Sequence, residues 1–248
     1  MYKLMLILII SFAFIFAAMQ IQAGIKDTKH NLSSSGPGTI KATTETQICV
    51  FCHTPHAAST AGPLWNHSLS TYNYTVSDPP GLLGSQLSTP VTGGSRVDYG
   101  SKLCLSCHDG TVALGLLYNK PGSGLGSGAV TGLDIKMPGI PGAAGSPNLG
   151  TDISSTHLVS IEYNQYLVDD KNASASDFRW KSPSDPSWTA AGNKIKLRPT
   201  GATYKGPPNT GKGVQCASCH DPHSSTYPMF MVVDYRANNA NLCEFCHY

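Results

Sequence analysis

Apolar residues in this chain are bunched rather than periodic. Residues 4–18 form an almost unbroken apolar run, LMLILIISFAFIFAA, and no later run is long enough to cross a bilayer. Strand-like stretches occupy 159–168, 194–198 and 229–235. Thr44-Glu45-Thr46-Gln47 has the pattern of a capping box opening a helical turn just before residue 49. A second helix is predicted over 103–118, weakened by Gly110 and Gly115, and Asn238 or Asn239 is placed to cap a last short helix leading into 243–247. Between 121 and 150 the chain carries 9 Gly and 4 Pro with no periodicity, which predicts a wrapping loop. The pattern as a whole predicts a coil-rich chain with few short helices and minor β-structure.

The first apolar run has the layout of a secretory signal peptide. Lys3 supplies the charged start, 4–18 the apolar centre, and Ala23 a small residue before the cut, with Ile21 making the cleavage pattern imperfect. The reading divides the chain into a signal peptide (1–23) and a single exported domain (24–248) with no membrane span.

One pentapeptide occurs four times: Cys49-Val50-Phe51-Cys52-His53, Cys104-Leu105-Ser106-Cys107-His108, Cys216-Ala217-Ser218-Cys219-His220 and Cys243-Glu244-Phe245-Cys246-His247. C-x-x-C-H is the attachment signature of c-type haem: two thiols bond to the porphyrin edge, and the adjacent histidine becomes an iron ligand. The four units use all eight cysteines. With histidine at 9 of 248 positions, a chance histidine after all four pairs has odds on the order of one in a million. Zinc ribbons would be satisfied by the thiolates alone and give no reason for those histidines. Thioredoxin-like pairs would need a βαβ setting that the chain lacks. The cofactor expectation is four covalently bound haem c groups.

Composition fits this. Charged residues are 13% of the chain, where about 25% is ordinary, and a core of protein alone would be hard to assemble. Stacked haems would serve as the core, giving a coil-rich multihaem cytochrome c fold. The formal charge is +2, haem propionates would make it more negative, and no basic stripe offers a nucleic-acid footprint. Intervals of 50, 107 and 22 residues separate the four units, so the last two are expected to be neighbours.

Five histidines remain for the sixth coordination positions: His30, His56, His67, His157 and His223. Met137, Met229 and Met231 read as packing residues. His56 follows His53 by three residues and His223 follows His220 by three, too close to reach the opposite face of the same iron, so each is expected to serve another haem. His30 would tie down the start of the domain and His157 would anchor the 107-residue interval. The predicted metal ligands are therefore His53, His108, His220 and His247, with His30, His56, His157 and His223 opposite them. His67 is left as the spare.

The blocks Ile48 to His56, Pro63-Leu64-Trp65-Asn66, LCLSCHDGT from Leu103, CASCHDPH from Cys216 and Thr28-Lys29-His30-Asn31-Leu32-Ser33 resemble the doubled C-x-x-C-H multihaem c-type cytochromes. Within that family, four haems in one secreted domain is similar to the tetrahaem extracellular filament type of metal-reducing bacteria. The resemblance implies extracellular electron transfer rather than enzymatic catalysis, with haems stacked through a head-to-tail homopolymer that passes electrons to other redox proteins or extracellular acceptors. It also implies that His56 completes a haem of the adjacent subunit, for which the one held by Cys243, Cys246 and His247 is the natural choice. The alternatives are a monomeric periplasmic electron shuttle and a reductase with one open haem.

Overall fold

The computed structural model describes residues 24–59, 62, 64–77, 97–121, 128–174, 179–188, 194–200, 211–236 and 242–248. The predicted leader and the Asn238 and Asn239 cap lie outside these residues. The described chain is coil-rich, as its pattern predicts. Helices α1 (Tyr99–His108), α2 (Gln165–Ser174) and α3 (Cys216–Cys219) are joined by single 3-10 turns. Seven strands of two or three residues complete it: β1 (Thr75–Val76), β2 (Leu116–Leu117), β3 (Gly128–Ala129), β4 (Asp152–Ile153), β5 (Ile161–Glu162), β6 (Arg198–Pro199) and β7 (Lys212–Val214). β1 pairs β4 in parallel, β2 pairs β3 antiparallel, and β7 lies antiparallel between β5 and β6.

Several boundaries differ from the sequence expectation, each for a local reason. α1 begins at Tyr99 and ends at His108, because Gly110 takes a positive φ of 69° and breaks the run before 118. The Glu45 carboxylate accepts the Gln47 N–H at 2.7 Å, so 44–47 forms a local turn instead of a capping box. Only a 3-10 turn at Cys49–Phe51 follows. The stretch 159–168 splits into β5 and the start of α2, where the Asn164 side chain accepts the Leu167 N–H at 2.9 Å in the manner of an N-cap. Of 194–198 only Arg198 enters a strand. Residues 229–235 are no strand: Pro228 opens a 3-10 turn in which Met229 and Phe230 sit at φ of 55° and 59°.

The apolar core comes in two small pieces. One gathers Tyr74, Val97, Leu105, Ile161, Tyr163 and Leu167, and the other Phe51, Leu114, Leu117 and Leu133 with their neighbours. Between the paired cysteines Val50, Phe51, Leu105, Ser106 and Ser218 are buried, whereas Glu244 of the fourth motif is exposed.

A buried polar network ties α1 to α3. Gln215, 1% exposed, donates to the Asp98 carboxylate at 2.7 Å and accepts from Ser101 and from Ser160, the latter at 3.2 Å. Thr200 donates to the other Asp98 oxygen at 3.0 Å. The Ser101 hydroxyl in turn accepts the Cys216 N–H at 3.0 Å. The start of the second motif's helix is thus fastened to the first cysteine of the third motif. Replacing Gln215 by Leu removes one donor from the Asp98 carboxylate and the acceptor of the Ser101 hydroxyl. A loss of about 2–4 kcal/mol is expected in denaturant melting of the holoprotein, against less than about 0.5 kcal/mol for Thr46→Ala on the surface.

Candidate functional site

Each motif closes on itself in the same way. The histidine N–H donates to the carbonyl of the first cysteine, at 2.8 Å for His53 to Cys49, 3.0 Å for His220 to Cys216 and 2.9 Å for His247 to Cys243. The second motif sits wholly within α1. This i to i+4 turn brings both thiols and the imidazole to one side of the backbone. A distant segment then pins each histidine. Single β-bridges join His53 to Trp65, His220 to Met231 and His247 to Trp180, while the His108 carbonyl accepts the Leu149 N–H at 2.7 Å.

The thiols of successive motifs lie against one another. Cys104 hydrogen-bonds Cys216, which holds Cys104 well above the usual thiol range and lowers Cys216. Burial pushes Cys52 and Cys219 up to about 11, Cys246 up to about 12 and Cys107 up as well. The charge of Cys52 reaches Cys107, and that of Cys243 reaches Cys219 and Cys246. None of the eight is disulfide-bonded. Among the described residues no three His, Cys, Asp or Glu side chains gather as a metal cluster, so the thiolate set of a zinc ribbon is not assembled.

The histidines pair across the fold. His30 and His108 have ring centres 6.0 Å apart, and so do His53 and His223. His157 lies close enough to His247 for its charge to lower the His247 pKa. A metal–imidazole bond of about 2 Å on each side, plus about 1 Å from nitrogen to ring centre, sets two imidazoles on one metal about 6 Å apart. The two measured pairs have that spacing. Orientation fits as well. His108 Nδ1 faces the Pro147 carbonyl at 2.8 Å, His220 Nδ1 that of Met229 at 2.8 Å, and His157 Nδ1 that of Leu158 at 2.9 Å, which leaves Nε2 of each ring for a metal. Burial, then the nearby His108, lowers His30 to about 4; burial, then His157, lowers His247 to about 4; burial, then His223, lowers His53. Neutral rings are the form that coordinates iron. His56, fully on the surface, has its carbonyl held by Thr54 and Asn119 at 2.9 and 3.1 Å.

Some contributors were invisible to sequence reasoning. Phe230 stacks on His30 with ring centres 4.3 Å apart and planes 8° from parallel. Trp180 meets the His247 ring edge-on at 4.8 Å. Asn66, fully buried, donates to the Val50 carbonyl at 2.6 Å and to Asn119 at 3.1 Å, tying the first motif to the segment after β2. Phe230 carries no mark in the sequence, whereas Asn66 lies within the Pro63-Leu64-Trp65-Asn66 block.

His67 has a different setting from the other eight. It is completely buried, with Nδ1 2.8 Å from the Ser68 carbonyl and Nε2 3.1 Å from that of Ala113. Both ring nitrogens face backbone carbonyls, and since burial lowers its pKa the neutral ring donates its single N–H to one of them. Replacing His67 by Ala is expected to lower stability by about 1–3 kcal/mol while leaving the ferric low-spin spectrum of the holoprotein unchanged. Appearance of a high-spin component would make His67 a ligand.

Residues 207–248, which include the third and fourth motifs, match the family model of the doubled CXXCH motif. No curated protein matches the chain. The match supports a multihaem c-type cytochrome family, and the motif indicates covalently bound c-type haem of the kind found in electron-transfer cytochromes.

Proposed function

We propose that the chain is an exported electron carrier holding four haems, one on each C-x-x-C-H unit, and that copies join head to tail into an extracellular filament. The ring spacing carries this reading. His53 and His108 each have a second imidazole at 6.0 Å, as low-spin, electron-transferring iron requires, so His223 completes the iron on His53 and His30 that on His108. His157 completes the iron on His247. A haem held by such side chains supplies reversible one-electron exchange. The protein's part is to fix ring orientation through backbone carbonyls and to exclude water.

Two histidines remain, His220 and His56. Both are exposed and lie outside the two pairs at 6.0 Å, although His220 is near enough to His30 for its charge to lower the His30 pKa. His56 of one copy then completes the His220 iron of the next. This reading takes the junction at the His220 haem rather than at the His247 haem, because the charge of His157 reaches His247. Exposed Leu64 and Tyr118 lie around His56, joined to it through Thr54 and Asn119, and exposed Met229 lies against His220. Apolar rims around the two unmatched histidines suit a dry contact. A contact between two different patches propagates instead of closing. The resemblance to tetrahaem filament cytochromes points the same way.

A second reading comes from the same observation. An exposed His220 outside the two ring pairs at 6.0 Å also suits an iron with an open position, as a reductase needs. Intact mass of the exported protein is expected to show four haem masses on residues 24–248, and electron microscopy of the secreted fraction to show filaments. His56→Ala is expected to retain four haems and yield monomers with one altered iron. Normal filaments from that variant would refute the junction. Monomeric wild-type protein with one high-spin iron that turns over substrate would favour the reductase.

A further inference from the structure

The residue after each motif differs: Thr54, Asp109, Asp221 and Tyr248. Two are acidic, and burial separates them. The Asp221 side chain is 47% exposed, whereas Asp109 is 3% exposed. Three donors converge on the Asp109 carboxylate: the Tyr74 hydroxyl at 2.7 Å, the Thr111 N–H at 2.8 Å and the Thr111 hydroxyl at 2.9 Å. Among the described residues no Lys or Arg pairs with it. Its position is poor for the helix itself, because a carboxylate at the C-terminal end of α1 opposes the helix dipole.

We propose that Asp109 lowers the reduction potential of the second haem. The inference rests on His108 being a haem ligand. A fixed negative charge one residue from that ligand, in surroundings of low polarity, favours the ferric over the ferrous state. Water and salt screen the Asp221 charge, so it has no comparable effect on the third haem. Tyr74 and Thr111 are positioning residues that hold the carboxylate against the His108 end of α1.

The test is spectroelectrochemical titration of the holoprotein and its Asp109→Asn, Asp109→Glu, Tyr74→Phe and Asp134→Asn variants. Haem on the Cys104–Cys107 peptide is first confirmed by mass spectrometry; its absence would sink the reading of His108 rather than this proposal. Asp109→Asn keeps an acceptor for Tyr74 and Thr111 and removes the charge. One of four components is expected to shift upward by at least a tenfold change in its reduction equilibrium, 59 mV for one electron. Asp109→Glu is expected to restore most of the original position, and exposed Asp134→Asn to leave all four components in place. Tyr74→Phe removes a bond but not the charge, and its component should stay at or below the wild-type position. Four unshifted components in Asp109→Asn would overturn the proposal. So would an equal upward shift in Tyr74→Phe, or loss of one low-spin haem in Asp109→Asn, since either makes the residue a packing element.

Discussion

The interaction on which the rest depends is the buried contact between Asp98 and Gln215. These residues stand 117 positions apart, one just before α1 and the other just before α3. Their bond fixes the second motif relative to the third, and through it the Cys104–Cys216 contact. A buried carboxylate is costly unless every lone pair finds a donor. Here Gln215 and Thr200 supply side-chain donors, and Ser101 and Ser160 complete the Gln215 amide. Apolar residues of the same size would pack without specifying an angle between the two helices. Directional bonds specify it.

The chemistry was legible in the sequence and the architecture only in part. Four pentapeptides name their chemistry outright, because covalent attachment and ligation require those residue types at that spacing. The coil-rich character also follows from pattern. The spare histidine is different: elimination set His67 aside, and only the fold shows two carbonyls occupying its nitrogens. The strand expected at 229–235 is suggested by β-branched Val232 and Val233, but Pro228 commits the chain to a 3-10 turn and only a single bridge, Met231 to His220, follows. The 159–168 run misleads for the opposite reason, since Asn164 starts a helix within it. Pro147 and Met229 act through their carbonyls, and a backbone oxygen has no residue type to announce it.

The apolar core is divided into two clusters of modest size. Motif cysteines pack against both, Cys246 against one and Cys107 against the other. The stability of such a chain is inseparable from its prosthetic groups, as in other small domains organised by a bound metal.

The long-range pins on the motif histidines bear on how the chain reaches this state. Trp180 holds His247 from 67 positions away, Leu149 holds His108 from 41, and β7 must insert between two strands that both precede it. Contacts of such large sequence separation form late and slowly. While they are absent, each pentapeptide is an isolated, solvent-exposed turn, open to attachment chemistry that the folded arrangement, in which burial raises Cys52 and Cys246, would hinder. The topology therefore orders assembly in time: modification of the extended chain comes first, and closure around the attached groups follows.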